Sequence, residues 1–245
     1  MRRLHKRQQP IPEIHLAPLT RDTLQLYRLI RGAMQAFGPQ VFGGNVISLT
    51  EQPSDVLSVL WLWKWSSQEV GRIARHPEAP DDAQLRIVPL FEKIGDLARS
   101  AHTFDAILQH PVYRAHVPEQ HDRQMIMVGY SDSTKDGGYL AACWGLYRAQ
   151  SDLQAVADKY RVKVTFFHGR GGSLGRGGGP AARGILSLPS QALDGTLRLT
   201  EQGEVLAERY DDVQIAYRHL EQVTWATLLA STAPAAAAWK ESTCL

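Results

Sequence analysis

The strongest constraint on the fold of this chain is a repeated alternation of β-prone and helix-prone segments. Short apolar runs recur at intervals of about 40 residues, at 46–50, 85–91, 124–131 and 163–169. Apolar residues at helical spacing follow the first three runs, and a possible fifth strand lies at 197–203. Alternating strands and helices of this kind predict a parallel sheet with helices outside it.

The predicted fold class is therefore α/β and helix-rich. A closed (β/α)8 barrel of the TIM type needs eight units in about 250 residues, whereas four to five βα units are visible here. We predict a partial (β/α)8 barrel with extra helices, including one at 18–37 and helical sequence from 205 to 229. The runs are almost continuously apolar, which is typical of strands covered on both faces. The predicted organisation is a basic and polar segment at 1–17, the partial barrel as catalytic region at 18–232, and a loose tail at 233–245.

Charge and cysteine content exclude several classes of function. The chain has 27 basic and 25 acidic residues, so no general excess of positive charge points to nucleic acid. Cys143 and Cys244 lack metal-site spacing, which is consistent with free thiols in a cytoplasmic protein. The basic start has no apolar segment after it, so no secretory signal is expected. The most apolar stretch, 56–65, is too short to span a bilayer, and we interpret it as a buried helix rather than a membrane segment.

Residues 168–184, HGRGGSLGRGGGPAARG, combine many glycines with three arginines. Glycine lets the backbone approach a ligand closely, and arginine binds phosphate or carboxylate through a planar set of donors. The segment is not a Walker loop. It is not a dinucleotide-binding fingerprint either, since Leu174 occupies the position of the third glycine. We interpret it as a loop that closes over an anionic substrate. The alternatives are a flexible linker and an RGG-type nucleic-acid segment.

Charged side chains follow three neighbouring predicted strands, at the ends where α/β proteins place their sites. They are Glu92 after the second strand, Asp132 and Lys135 after the third, and His168, Arg170 and Arg176 after the fourth. Glu92 and Asp132 could share a divalent cation such as Mg²⁺, which prefers oxygen ligands. The lysine and the arginines could hold an anion that carries phosphate and carboxylate groups.

Each of these residues also has a structural interpretation. Asp132 could cap the following helix, Glu92 could be a first-turn acid, and Lys135 could be a solvated surface lysine. His168 could bond a backbone carbonyl group. Other histidines, including those at 76, 102, 110 and 116, lie in polar connections without metal spacing, and we assign them to the surface.

The motifs VGYSDSTKDGGYLAACWGLYRAQ (128–150) and FFHGRGGSLGRGGGPAARGILSLP (166–189) closely resemble phosphoenolpyruvate carboxylase. Three further segments agree in the same order, at 46–60, 89–97 and 195–205. The resemblance implies a helix-rich (β/α)8 barrel enzyme, cytosolic and usually a homotetramer. It implies carboxylation of phosphoenolpyruvate with bicarbonate, giving oxaloacetate and phosphate through carboxyphosphate and a metal-bound enolate.

The resemblance also assigns roles to individual residues. It makes Glu92 and Asp132 the carboxylates that bind Mg²⁺ or Mn²⁺, and Lys135 the site lysine. Arg176 becomes the mobile-loop arginine, with Arg170 and His168 beside it. The glycines of the substrate loop are Gly169, Gly171, Gly172, Gly175, Gly177 and Gly178.

The family's chains are much longer at both ends, and their essential histidine and closing barrel strands match no segment here. We therefore expect an internal portion of the enzyme with little or no carboxylase activity by itself. The alternative is an inactive module that binds oxyanions or serves assembly. A third possibility is a related barrel that transfers phosphoryl groups to a protein histidine, but such a barrel would lack the two long motifs.

Overall fold

The computed structural model describes residues 16–66, 84–169, 181–193, 195–201 and 203–232. Most of the predicted N-terminal segment, the glycine-rich residues 170–180 and the predicted tail lie outside the described residues. The predicted boundaries at residues 17 and 233 therefore stay predictions. The described chain divides into two compact units, and the division falls within one helix, between Val56 and Leu57.

The first unit is built around helix α1, Pro18–Phe37, which has the bounds predicted from the sequence. Its buried face includes Leu24, Tyr27 and Met34. The Tyr27 ring meets the edge of the Trp63 ring at a centroid distance of 6.3 Å. The buried Arg31 guanidinium lies 3.9 Å from the centre of the same Trp63 ring and donates a hydrogen bond of 2.9 Å to its carbonyl oxygen. A cation–π contact and a hydrogen bond thus hold this unit's two helical segments together.

The second unit contains a sheet of five parallel strands that pair in chain order. The strands are β1 (Asn45–Ile47), β2 (Ile87–Phe91), β3 (Arg123–Val128), β4 (Lys163–His168) and β5 (Arg198–Leu199). The predicted parallel sheet is confirmed, and each predicted strand is present. Five strands in chain order are compatible with an open sheet and with part of a barrel, so the partial barrel stays a prediction.

Strand burial differs across the sheet. Every residue of β2 is buried, as expected for a strand covered on both faces. In β3 and β4 only every second residue is buried, and the residues between are partly or fully exposed. One face of these two strands therefore packs against helices through Ile126, Val128, Val164 and Phe166. The other face is more open than the apolar sequence predicted.

Helices connect the strands, as the sequence predicted. They are α2 (Pro53–Ser66), α3 (Ile94–Gln109), α4 (Pro111–His116), α5 (Ser131–Tyr160), α6 (Ala181–Leu186), α7 (Gly203–Tyr210) and α8 (Val213–Thr232). Helices α3 and α5 pack together, and their contact includes Asp105, which accepts hydrogen bonds from Lys159 and Tyr160. A separate apolar cluster forms where α6 meets α8, around Ile185, Leu193 and Ala226. No helix among the described residues is long and apolar enough to cross a membrane.

Helix α5 is interrupted near its start. Gly138 has φ 78° and ψ 169°, which is not a helical conformation, and a positive φ of this size favours glycine. The interruption separates a short first segment, Ser131–Gly137, from the rest of the helix. The short segment packs against the start of α3, because the Asp136 carboxylate accepts a hydrogen bond of 3.0 Å from the Ile94 backbone N–H.

The assignment of His116 to the surface is wrong. His116 is 1% exposed and lies beside the Tyr113 ring, with 5.7 Å between the two ring centres. Its position at the end of α4 looks polar in sequence, but the turn that follows folds it inward. Tyr113 is also buried, and its hydroxyl donates to Gln124 Oε1 at 2.7 Å. Gln124 in turn donates to the Ile87 carbonyl oxygen at 2.8 Å, so a buried polar chain links α4 to two strands.

Candidate active site

The carboxyl ends of β1, β2 and β3 surround a cavity of about 570 Å³. Parallel strands end at the same edge of a sheet, so the residues that follow them are brought together. Three of the residues predicted from the sequence line this cavity: Glu92, Asp132 and Lys135. The remaining lining residues are Ser48, Leu49, Lys93 and Asp136.

Glu92 follows β2 directly, and its position is fixed by the turn after β1. Leu49, which has φ 51°, donates its backbone N–H to Glu92 Oε1 at 2.8 Å. Burial raises the pKa of Glu92, the Leu49 hydrogen bond opposes this shift, and the neighbouring Asp132 raises the pKa further. The acid in the first turn of α3 is Asp96, not Glu92. The carboxylate of Glu92 is thus free of a capping role and faces the cavity.

Asp132 stands in the first turn of α5 and contacts both predicted partners. Lys135 Nζ donates to Asp132 Oδ1 at 3.2 Å, and the Asp132 and Glu92 carboxyl groups lie close enough to shift each other's pKa. Lys135 and then Glu92 lower the pKa of Asp132. Asp132 does not cap the helix, because the cap position is Tyr130 and no side-chain capping hydrogen bond forms there.

His168 ends β4 and is 1% exposed. It is not among the residues that line the cavity. Its Nδ1 lies 3.1 Å from the Tyr130 hydroxyl, so the hydroxyl and the ring share a hydrogen bond. Tyr130 precedes the segment that carries Asp132 and Lys135, and the bond therefore ties the end of β4 to the start of α5.

Gly169 follows His168, and the backbone at this point tolerates no side chain. A Cβ atom at Gly169 would lie 2.7 Å from the Gly129 carbonyl oxygen and 2.9 Å from the Met127 methyl group. The Gly169 N–H donates to the Val128 carbonyl oxygen at 3.0 Å. The two strands thus remain in close contact up to the point where the glycine-rich segment begins.

The other predicted loop residues cannot be located in the structure. Arg170, Arg176 and the glycines at 171, 172, 175, 177 and 178 lie outside the described residues. Arg183, the third arginine of the motif, stands on α6.

Sequence reasoning missed three contributors to the site. Tyr130 falls within the predicted strand at 124–131, and its bond to His168 depends on two segments that are distant in sequence. Lys93 and Asp136 line the cavity although each looked like an ordinary charge near a helix start. For both, the available signal was sequence proximity, because Lys93 directly follows Glu92 and Asp136 directly follows Lys135.

The Glu92–Asp132 pair fits the requirements of a hard divalent cation. Mg²⁺ is commonly bound through one or two carboxylates and keeps several waters, and the cavity offers two adjacent carboxylates and space for water. Among the described residues there is no group of three or more His, Cys, Asp or Glu side chains placed to hold a metal, so such a cation would depend on this pair.

The fold and the cavity together define an α/β protein with acidic and basic side chains gathered at the carboxyl ends of parallel strands, the usual ligand-binding edge of such sheets. The comparison with known families is specific within this class. The family model for phosphoenolpyruvate carboxylase matches residues 1–243. The chain belongs to the phosphoenolpyruvate carboxylase family.

Individual relatives show the same relationship. The chain is 43% identical over 231 residues to a phosphoenolpyruvate carboxylase of Rhodothermus marinus, covering 92% of this chain and 24% of that protein. It is 42% identical to one of Xanthomonas euvesicatoria and 38% identical to one of Gloeobacter violaceus, with 94% and 91% of this chain covered. The chain thus spans about a quarter of the length of these relatives.

Proposed function

We propose that this chain provides part of the catalytic centre for carboxylation of phosphoenolpyruvate. In this reaction bicarbonate attacks the phosphoryl group, which leaves the enolate of pyruvate and forms carboxyphosphate. Carboxyphosphate then breaks down to phosphate and CO₂, and the enolate carbon attacks CO₂ to give oxaloacetate. The observation that carries the proposal is the meeting of Glu92, Asp132 and Lys135 around one cavity in a chain of this family.

In this proposal Glu92 and Asp132 hold Mg²⁺ or Mn²⁺. The cation would supply stabilisation of the negative charge that develops on the substrate oxygens. Leu49 orients Glu92 through its backbone N–H, and Lys135 orients Asp132. Both contacts keep the carboxylate oxygens in place before the substrate arrives, which is the requirement for electrostatic stabilisation of a transition state.

Lys135 has a second role in the proposal. Its side chain is 75% exposed and reaches the cavity from the start of α5. An ammonium group there would bind the phosphate or carboxylate of the substrate as a point charge. His168 supports the start of α5, which carries Asp132 and Lys135, through its hydrogen bond to Tyr130. The roles of Arg170 and Arg176 rest on the glycine-rich motif alone, and we propose them as substrate contacts of the loop.

The experiment that tests the proposal transfers this chain into a complete enzyme. The matching quarter of the Rhodothermus marinus carboxylase is replaced by this chain, and oxaloacetate formation is followed by coupled oxidation of NADH. We expect the chimera to be active and Asp132→Asn to lower kcat/KM by about 10²-fold, as is typical for loss of one stabilising group. Asp152→Asn is the matched control, because Asp152 is also exposed on α5 and contacts a cation, Arg148, at 3.9 Å.

Binding of Mn²⁺ by the isolated chain gives a second measurement. We expect electron paramagnetic resonance to show Mn²⁺ binding that is weakened by Asp132→Asn and by Glu92→Gln and unaffected by Asp152→Asn. We also expect the isolated chain to show little or no turnover of phosphoenolpyruvate. Equal activity of the Asp132→Asn and Asp152→Asn chimeras would refute the site. Efficient turnover by the isolated chain would refute the expectation that it needs further segments.

A further inference from the structure

A second cavity lies at the opposite end of the sheet from the candidate active site. It has a volume of about 510 Å³ and shares no lining residue with the first cavity. Arg86, which directly precedes β2, and Arg123, the first residue of β3, stand at its rim. Arg198 enters it from β5, with its guanidinium carbon 4.7 Å from the centre of the Phe167 ring. Three arginines from three strands therefore converge on one space.

The charge of the three arginines is not balanced by the described residues that line this cavity. None of the three arginines forms a salt bridge with any described residue. The described residues that line the cavity include no aspartate or glutamate. Convergence of like charges is unfavourable unless a counter-ion neutralises them.

The other lining groups suit an oxyanion. Thr165 and Thr196 bring hydroxyl groups, which can donate to phosphate oxygens. Guanidinium groups bind phosphate through two parallel hydrogen bonds, and they are more weakly hydrated than ammonium groups, so they lose less when they bind an anion. The volume falls within the range of about 300–1,000 Å³ that small-molecule sites occupy.

We propose that this cavity, formed by Arg86, Arg123 and Arg198 with the two threonines, binds a small anion that carries at least two phosphate groups. The site is separate from the candidate active site, since the two cavities share no lining residue. Arg86 and Arg123 stand at the amino ends of β2 and β3, whereas Glu92 and Asp132 follow the carboxyl ends of these strands. A ligand bound here would not compete with a ligand at the first cavity.

The probe is inorganic pyrophosphate, titrated into the purified 245-residue chain by isothermal calorimetry at low ionic strength. We expect saturable binding, and we expect Arg123→Gln and Arg86→Gln each to weaken it at least 10-fold. The control variant is Arg218→Gln, because Arg218 is an exposed arginine on α8 whose charge is already paired with Glu221 at 2.6 Å. It should bind as the unmodified chain does. Lys135→Ala should also leave this binding unchanged, which separates the site from the proposed catalytic centre.

Several outcomes would overturn the proposal. They are a lack of saturable binding up to about 1 mM, equal affinity in Arg123→Gln and the unmodified chain, or an equal loss in Arg218→Gln, which would indicate a general charge effect. A loss of binding in Lys135→Ala would assign the pyrophosphate to the first cavity. Circular dichroism of every variant confirms that it is folded, and if one arginine variant unfolds the other decides the outcome. None of these results depends on carboxylase activity, so the proposed function can fail while this site stands.

Discussion

The close approach of the chain at Gly169 predicts that Gly169→Ala destabilises the protein by about 1–3 kcal/mol, the range measured for overpacked sites. The added methyl group would lie 2.7 Å from the Gly129 carbonyl oxygen, so the two backbones must separate by roughly 0.7 Å to reach the 3.4 Å at which ordinary contact begins. A flexible side chain could move away at low cost, and the Met127 methyl group will do so. The Gly129 carbonyl belongs to the backbone that leads from β3 into α5, so its displacement strains the junction that carries Tyr130.

Urea unfolding followed by far-ultraviolet circular dichroism measures the effect through the midpoint and the slope of the transition. We expect a lower midpoint at an unchanged slope. Gly203→Ala is the control, because a Cβ atom there meets nothing within 4 Å and the residue begins helix α7. Alanine should be neutral or slightly stabilising at that position. A Gly169→Ala chain within about 0.5 kcal/mol of the unmodified chain would refute the steric argument, since ordinary surface substitutions already vary by that much.

Two further substitutions test the packing of the second unit. Tyr113→Phe removes the donor to Gln124 while keeping the ring. We expect a loss of about 1–3 kcal/mol in the free energy of unfolding, because the buried Gln124 oxygen is left without its 2.7 Å partner. A change below about 0.5 kcal/mol in a urea titration would contradict this. Lys159 and then Tyr160 lower the pKa of Asp105, so the stabilisation should be complete above the unfolded pKa of about 3.9 and lost as the pH falls through the lower folded value. We expect Asp105→Asn to cost about 0.5–1 kcal/mol at pH 6, a small value because Lys159 is largely exposed, and we expect the cost to fall as the pH is lowered below the unfolded pKa. Thermal unfolding across this pH range measures the difference, and a constant difference would contradict the assignment.

The sheet was predictable because its strands carry strong local signals. The runs at 85–91 and 163–169 are rich in apolar, β-branched and aromatic residues, and their carboxyl ends coincide with those of β2 and β4 to within one residue. The first strand is shorter than predicted because the chain turns at Leu49, where the backbone adopts a positive φ. That turn depends on Glu92, more than 40 residues further on, so no local pattern could have shown it.

The candidate site was predictable in part for the same reason. Glu92, Asp132 and Lys135 follow strands directly, and parallel pairing is enough to bring strand ends together. The burial of His168 and its bond to Tyr130 could not be predicted, because they depend on how the end of β4 packs against the start of α5. The surface assignment of His116 failed for a comparable reason, since a polar sequence around a short helix does not show which side faces the core.

The arginines of the second cavity were also absent from the sequence reasoning. Each stands near the start of a strand, whereas the charged residues selected from the sequence follow the ends of strands. Arg86, Arg123 and Arg198 are far apart in sequence, and only the pairing of neighbouring strands brings them together. An unbalanced charge of this kind becomes visible only when the acidic residues around it can be counted in space.

The break at Gly138 has a consequence for how the protein can vary. The seven residues that carry Asp132 and Lys135 are anchored by Ile94 of the neighbouring helix, through the Asp136 carboxylate. The longer remainder of α5 presents exposed apolar side chains, including Leu140 and Trp144. Because the helix is interrupted at Gly138, substitutions on that exposed surface, selected for a new partner or for a more soluble protein, can leave the positions of Asp132 and Lys135 unchanged.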